Sequence, residues 1–324
     1  MRTSGVRVCW TEPWQRIPRG WPGSVLAMLK TAACRQNKVM DRNKDGIQEL
    51  DGALRDRFLR LMESESLADC IMVKARVEHG IRSVDVLRTG LAVPLEGEKD
   101  VRCSDGEWVL RPGLLNVMCA GTRMDVVSRP DPVTGRYLTL LVPLCEEVLA
   151  AARLLWGTPV AGSAAGPMLR CVAVKDFSEE MVAWSEALLR DDHAGARVAL
   201  VSLVIGLARQ GMTRLLFPPA ETLAQRIRRH VMDAPDRDWQ SRDVEALLGM
   251  SGATLRRHLA AEDTSLRELL VDVRMGIALN LLYGTQLPLK TVAARVGYRS
   301  PDGFVRAFRA RYGLEPSQLG RDDA

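Results

Sequence analysis

The 324-residue chain lacks the features that mark export, a disulfide framework or a membrane span. Its seven cysteines include no CxxC pair, which favours reduced thiols over disulfides or a zinc cage. Charged residues interrupt the N-terminal segment where a signal peptide would have its apolar core. The most apolar run, residues 198–208, is too short to cross a bilayer. The sequence predicts a cytoplasmic protein that does not associate with membranes.

Residues suited to metal binding or covalent catalysis are also scarce. Of the four histidines only His79 lies in the β-rich middle of the chain, whereas catalytic metals usually need several imidazoles. Neither a GxSxG nucleophile motif nor a P-loop is present. We therefore predict no metal, no cofactor and no enzyme activity, with His79 at a surface or a strand end. Cys103, beside Arg102, is the best candidate for a reactive thiol, although an inert thiol is the favoured interpretation.

The segment from Asp41 to Glu49 has several carboxylates at the spacing of a calcium-binding loop. The twelfth position of that loop should be a bidentate glutamate, but here it is Gly52. A polar turn is therefore the preferred interpretation. Apolar residues from Leu50 to Met62 then recur at helical spacing and predict one amphipathic helix.

The region from Cys70 to Pro143 alternates short apolar runs with turn residues about every ten positions, which is typical of an antiparallel β-barrel or sandwich. Six runs carry this pattern: CIMVKARV, SVDVLRTG, EWVLRPG, LLNVMCAG, MDVVSRPD and RYLTLLVP. Helices are predicted at residues 146–156, 178–190 and 194–210. The last is apolar nearly all round, so we expect it in a core or a subunit interface and predict a homodimer.

The Pro218-Pro219 pair marks the clearest domain boundary. We predict an α+β fold, with an N-terminal β-barrel or sandwich accompanied by helices and a C-terminal all-α domain. The predicted divisions are a leader with helices (1–68), a β domain (69–220) and a helical domain (221–324).

Between Thr222 and Gly320 there are 14 arginines and one lysine against 11 acidic residues, a small positive excess suited to an anionic partner.

The helical domain contains a helix-turn-helix pattern. Ser241 precedes a short helix that Gly249 ends, and Ser251 can cap a second helix. Arg256 and Arg257 lie on the free face of that second helix. A short helix, a glycine turn and an arginine-bearing helix together favour DNA binding over a plain helical bundle.

The pattern occurs a second time after a long helix. Ser265 begins this linker helix, which runs for about 18 residues and about 27 Å to Gly284. Gly297 then separates two short helices, and Ser300 can cap the second of them. Two recognition helices that enter successive major grooves must lie about 34 Å apart, a distance that this linker and its turns can span.

The C-terminal segment resembles the AraC/XylS family of bacterial regulators from about Thr222 to Leu319. The residues that carry the resemblance are Met250-Ser251, Thr254 to Arg257, Arg274, Ala278, Leu281, Leu282, Val292-Ala293, Val296-Gly297-Tyr298, Ser300, Phe304, Phe308-Arg309, Gly313 and Pro316-Ser317. The strand–turn–strand stretch from Gly106 to Thr122 resembles the cupin-like sensor domains of the same family. The resemblance thus implies a cupin-like sensing domain attached to two tandem helix-turn-helix units.

Carried over by position, the resemblance implies which residues face DNA. The candidate DNA-binding residues are Ser251, Ala253, Thr254, Arg256, Arg257, Ser300, Asp302, Arg306 and Arg309. The sequence departs from the common pattern of the family at two places, at the start of the second recognition helix and in the loop after the first unit. Asp302 repels phosphate and Gly303 offers no side chain, so we expect the second unit to hold phosphates through Arg306, Arg309 and Arg311. The loop at 261–264 lacks the usual glycine.

These observations predict a sequence-specific transcription regulator, an activator, that responds to a small-molecule or protein signal through its β domain. The predicted partners are double-stranded DNA, RNA polymerase, a second copy of the chain and a small-molecule effector. Two alternatives stay open: a DNA-tethered cupin-type enzyme, and an adaptor that binds other proteins and binds DNA weakly. A metal triad in the β region would favour the first, and the Asp302-Gly303 departure supports the second.

Overall fold

A computed structural model of the chain describes residues 50–63, 70–157 and 166–319, all within one compact unit. The polar turn predicted at Asp41–Glu49 lies outside the described residues, as does the leader before it. The helix predicted after Leu50 is confirmed as α1, Gly52–Glu63. Its apolar face, with Leu54 and Phe58, is buried.

The strands form two antiparallel sheets, which confirms the predicted α+β class. The strands are β1 Ile71–Ala75, β2 His79–Asp85, β3 Gly90–Glu96, β4 Glu98–Cys103, β5 Gly106–Leu110, β6 Leu114–Met118, β7 Arg123–Arg129, β8 Tyr137–Pro143 and β9 Leu169–Ala173. One sheet has the order β1-β8-β3-β6-β9 and the other the order β2-β7-β4-β5. Side chains alternate between the two faces of each strand, so each sheet turns one set of residues towards the other sheet.

Each of the six predicted runs overlaps a strand, although the second strand begins four residues earlier than the run SVDVLRTG. Strands β3, β4 and β9 were not predicted. Pro94 in β3 is unusual for an interior strand. It is tolerated because pairing with β6 ends at Ala92 and pairing with β8 becomes irregular between Pro94 and Glu96. Strand β4 is rich in charged residues, which hides its alternation.

Four helices pack on the outer face of the larger sheet: α1, α2 Glu146–Trp156, α3 Ser178–Leu189 and α4 His193–Arg209. Phe58 of α1 contacts Trp184 of α3, with ring centroids 6.1 Å apart. Helix α4 is part of this core, since Val204 and Leu207 are fully buried. Val201 is also buried, as expected for a helix whose apolar face lies in a core. Val198 of the same helix is 66% exposed.

The C-terminal region is entirely helical. Its helices are α5 Leu223–Asp233, α6 Ser241–Leu248, α7 Gly252–Ala261, α8 Leu266–Gly284, α9 Leu289–Arg295 and α10 Pro301–Tyr312. Helix α8 is the predicted linker. One boundary differs from prediction: Ser241 is the first residue of α6, and Gln240 before it is the capping residue.

The linker helix packs against β1 and β2, and α10 packs against β2. Two glycines of α8 allow this close approach. A Cβ on Gly276 would lie 3.0 Å from Leu87, and one on Gly284 would lie 3.2 Å from Ile71. Apolar residues of the strands and of α8 to α10 therefore share one hydrophobic cluster. The division of the chain at residues 68 and 220 stays a prediction.

Candidate functional site

The first helix-turn-helix unit consists of α6, a turn at Gly249 and α7. Gly249 has φ +64°, a left-handed conformation that glycine adopts without a steric penalty. The Ser251 side chain accepts a hydrogen bond of 3.3 Å from the Thr254 amide and caps α7. Leu255 and Leu259 are buried and fix the inner face of the helix.

The outer face of α7 is open to solvent. Ala253, Arg256 and Arg257 are all exposed, and no ion pair of either arginine occurs among the described residues. Thr254 is half-buried beside the Ser251 hydroxyl, 3.0 Å away. The helix therefore presents two unengaged guanidinium groups next to a small side chain, which lets a bulky partner come near the backbone.

A carboxylate that sequence reasoning missed holds this recognition helix in place. The Leu223 and Ala224 amides donate to the two carboxylate oxygens of Glu262 at 2.9 and 3.0 Å. Glu262 follows α7 directly and caps the N-terminus of α5, where a negative charge is favoured. The neighbouring Asp263 takes φ +52°, so an aspartate adopts the left-handed conformation in a loop that contains no glycine.

The second unit consists of α9, a turn at Gly297 and α10. The Ser300 hydroxyl accepts a hydrogen bond of 3.1 Å from the Gly303 amide and caps α10. Three aromatic rings along the inner face of α10 are buried in succession. The Phe304 and Phe308 centroids lie 5.7 Å apart, and those of Phe308 and Tyr312 lie 4.8 Å apart.

The outer face of α10 carries Asp302, Arg306 and Arg309, all exposed. Arg309 lies 3.3 Å from the Glu315 carboxylate in a solvent-exposed pair, which water screens strongly. The prediction that Arg311 holds phosphate is wrong in this structure, because its guanidinium is buried between Asp85 and Asp272. Arg311 lies about two helical turns after Phe304 and therefore on the same inward face of α10.

The linker helix contacts the loop that precedes the first unit and lies beside the turn of the second. Arg274 donates to the carbonyl oxygens of Pro235 and Arg237 at 3.0 and 2.9 Å. Gly297, in the turn of the second unit, lies so near that a Cβ there would be 2.9 Å from the Pro235 oxygen. The glycine thus serves two purposes, a left-handed turn and a close approach between the two units.

A second polar site lies between the two sheets. Lys99 of β4 places its ammonium 4.9 Å from the centroid of the buried Tyr137 ring. No carboxylate lies within ion-pair distance of Lys99 in the described part of the chain, and burial lowers the pKa of Lys99 to about 8. Beside it in the sheet is Ser128, fully buried, with a hydroxyl that has no hydrogen-bond partner among the residues that the structure describes.

His79 pairs with Ser128 in the adjacent strand and joins this site to the linker helix. Its Nε2 lies 2.8 Å from the hydroxyl of Tyr283 on α8. Burial is the main cause that lowers the pKa of His79. The residue stands at the start of β2, so its predicted place at a strand end is confirmed.

Burial likewise raises the pKa of the Cys103 thiol, which disfavours the reactive thiolate considered for it.

Within residues 50–63, 70–157 and 166–319, no cluster of three or more His, Cys, Asp or Glu side chains has the geometry to hold a metal ion. In the same ranges, no helix combines the length and the apolar character that a membrane span requires.

A family model described as a helix-turn-helix domain matches residues 245–322. The urease operon transcriptional activator of Escherichia coli is 38% identical over 95 residues, which are 29% of this chain and 32% of that protein. The ornithine utilization regulator of Pseudomonas aeruginosa is 39% identical over 101 residues, 30% of this chain and 29% of that protein. The alignments thus span about a third of the length of these curated relatives.

Solved structures of ToxT from Vibrio cholerae resemble this chain over both the strands and the C-terminal helices, 77% of its length. The apo form has a TM-score of 0.57 at 12% identity and covers 77% of this chain and 94% of its own. A form bound to an unsaturated fatty acid has a TM-score of 0.55 at 12% identity, with 77% and 93% covered. At this identity the likeness concerns the fold alone. Residues 245–322 are therefore a helix-turn-helix domain of the AraC type, in a chain that shares the fold of ToxT.

Proposed function

We propose that this chain is a cytoplasmic transcription regulator, an activator, that reads one DNA site with two tandem helix-turn-helix units. The observation that carries the proposal is the matched design of α7 and α10. Each follows a glycine turn, is capped by a serine and turns arginines outward, within the segment that matches the family model. Arginine in this setting can bind guanine edges or phosphates.

The two outer faces support a division of labour. On α7, Arg256 and Arg257 beside the small Ala253 are suited to base edges, because the backbone can come close to the groove. On α10, Asp302 opposes phosphate at the start of the helix, so Arg306 and Arg309 are proposed as phosphate contacts. Ser251, Thr254 and Ser300 lie at the helix N-termini, where hydroxyl and amide groups commonly bind the DNA backbone.

The proposed signal is an organic acid with an apolar tail, bound between the two sheets. Among the described residues, Lys99 has no carboxylate partner and the Ser128 hydroxyl has no hydrogen-bond partner. The Tyr137 ring and neighbouring aliphatic residues supply apolar surface. Solved ToxT with a bound unsaturated fatty acid supports this class of ligand for the fold. The His79–Tyr283 contact lets occupancy of the site reach the linker helix.

A homodimer on DNA and a contact with RNA polymerase belong to the same proposal. Val198 is an exposed apolar residue on α4 and is therefore available for contact with a second copy. Sedimentation of the full-length protein with and without its DNA site tests the dimer, which a monomer at all concentrations would rule out.

The DNA proposal is tested by selecting bound sequences from a random duplex library with the full-length protein. We expect one preferred site and an affinity that falls about a thousandfold or more between 50 and 200 mM salt if six or more phosphates are neutralised. The double variant Arg256→Ala/Arg257→Ala should lose the sequence preference but remain folded. Selection of no sequence by the wild-type protein would contradict the proposal.

The effector proposal is tested by thermal unfolding of the full-length protein with oleate. Oleyl alcohol, which has the same hydrocarbon chain but no carboxylate, is the control ligand. Oleate should raise the unfolding temperature of the wild type, and Lys99→Met should abolish the effect. Lys74→Met, at an exposed lysine of β1, is the control and should retain it. Because the protonated amine binds the carboxylate and burial places the pKa of Lys99 at about 8, oleate binding should weaken as the pH rises through 8. An equal response to the alcohol would overturn this part.

A further inference from the structure

Four charged side chains from four elements form a closed ring where the β domain meets the helices. Arg123 of β7 contacts Asp85 of β2 at 2.8 Å and Asp272 of α8 at 2.6 Å. Arg311 of α10 contacts the same two carboxylates, Asp85 at 2.8 Å and Asp272 at 2.9 Å. Arg228 of α5 lies 3.8 Å from Asp272 at the edge of the ring. Each carboxylate is therefore shared by arginines of different elements.

Three of the four ring members are largely buried. The exposed fractions of the side chains of Asp85, Arg311 and Asp272 are 10%, 13% and 16%, whereas that of Arg123 is 50%. Removing water from such charges is costly, so a buried ionic ring is weak evidence for stability. It does impose one geometry, because a buried charge without its partner is strongly disfavoured. Fixing an arrangement is the role that such a ring can best serve.

The ring constrains α10 in particular. Arg311 lies on the inner side of this helix, while Arg306 and Arg309 lie on its exposed side. Beside the buried aromatic rings of the same face, the contacts of the Arg311 guanidinium consequently add a second constraint on the rotation of α10 about its own axis and on the direction of the exposed arginines. The first recognition helix is held differently, by Glu262 within the helical region itself.

The strand that supplies Asp85 is shaped for this contact. Strand β2 is the edge of the smaller sheet, and its pairing with β7 shifts between Ile81 and Val84. Ser83 takes φ +52° at the shift, and its amide donates to the Asp125 carboxylate at 2.8 Å. Bulges of this kind redirect the following side chains. The same strand begins at His79, beside the proposed effector site.

We propose that Asp85 is a positioning residue for DNA binding: through Arg311 it orients the second recognition helix relative to the first. The inference rests on the proposed function, because it assigns a purpose to the ring only if α10 contacts DNA. It places part of the DNA-binding geometry in the β domain, outside the segment that matches the helix-turn-helix family model.

The test compares full-length wild type, Asp85→Asn and Asp85→Glu on the selected DNA site by hydroxyl-radical footprinting and affinity measurement. In Asp85→Asn we expect protection to weaken over the half bound by the second unit, with the first half unchanged. Affinity should fall about fivefold or more, the size of a typical coupling between two sites. Asp85→Glu should restore part of the protection. The matched control is Glu107→Gln, which removes an exposed ion pair with Arg102 in the same sheet.

Equal weakening of both halves in a folded Asp85→Asn would overturn the proposal, as would unchanged or tighter binding. If Asp85→Asn does not fold, Arg123→Gln replaces it, because this half-exposed ring member should give a smaller loss over the same half. Failure of the wild type to select any DNA would contradict the proposed function. A wild type that selects a site, with variants indistinguishable from it, would contradict only this inference.

Discussion

The two helix-turn-helix units share one plan but are held in place by different contacts. In the first, α7 rests on two leucines, and Glu262 ties its end to α5 through two backbone amides. In the second, α10 rests on stacked aromatic rings and is tied to the β domain through Arg311. The first unit is therefore oriented from within the helical region, and the second is oriented by the domain proposed to sense the signal.

This difference shows where a signal could act. A ligand between the sheets that shifts β2 or α8 would move α10 directly, because Asp85 and Tyr283 lie on those elements. The same shift would reach α7 less directly, through the linker or through α5, whose Arg228 lies at the edge of the ring. The comparison predicts that the second unit responds to the β domain and that the first supplies a constant anchor on DNA.

The largest expected effect concerns the aromatic core of the second unit. Phe308→Ala should lower the free energy of unfolding by about 3–5 kcal/mol, because it removes a fully buried ring from between Phe304 and Tyr312. Urea unfolding of the full-length protein measures the loss. Leu259→Ala, the matched change in the first unit, should cost about 2–5 kcal/mol. A cost below about 1 kcal/mol for Phe308→Ala would mean that the rings do not hold α10.

The second prediction separates base reading from phosphate binding. Arg256→Ala or Arg257→Ala should reduce discrimination at one or two base pairs by about 1–3 kcal/mol. Arg309→Ala should instead weaken binding to all sequences about equally and reduce the salt slope by about one. Binding-site selection with each variant measures both. The assignment is reversed if Arg306→Ala changes base preference while neither α7 variant changes any.

The third prediction tests the internal tie of the first unit. Glu262→Gln keeps one acceptor oxygen but loses the charge at the N-terminus of α5, so we expect a loss of about 1.5 kcal/mol in stability. DNA protection should weaken over the half bound by the first unit, the opposite pattern to Asp85→Asn. Asp263→Asn is the control in the same loop, because asparagine also tolerates the left-handed conformation. Weakening confined to the second half would contradict the comparison.

The smallest effects should be equal in the two units. Ser251→Ala and Ser300→Ala each remove a helix cap, with hydrogen bonds of 3.3 and 3.1 Å, and should each cost about 1 kcal/mol. Urea unfolding measures both. Glycine at either position should recover most of the loss, because it also caps helices. Unequal costs would show that the two caps do not contribute alike.

Much of the helical region could be predicted because its signals are local. Ser251, Ser300 and Gly249 take their predicted roles as caps and turn, since each depends on neighbours within a few residues. Six strands were also predicted from alternating apolar runs. Strand β4 was missed because its charged residues pair across strands and sheets, as Lys99 does with the Tyr137 ring. Such pairings do not produce the alternation of apolar and polar residues by which strands are predicted from sequence.

The amino-acid sequence by itself determined the class of fold, the tandem helix-turn-helix units and the outward arginines at 256, 257, 306 and 309. These follow from helical periodicity, capping and turn residues, which act over one or two turns of chain. Only the tertiary structure decided the partners of Glu262 and Arg311 and the position of Lys99 over the Tyr137 ring. Asp85 and Arg311 are 226 positions apart in sequence, and nothing local to either indicates the other. An arginine two positions after Arg309 looked like one more DNA contact, until the packing of α10 on β2 turned it towards the β domain.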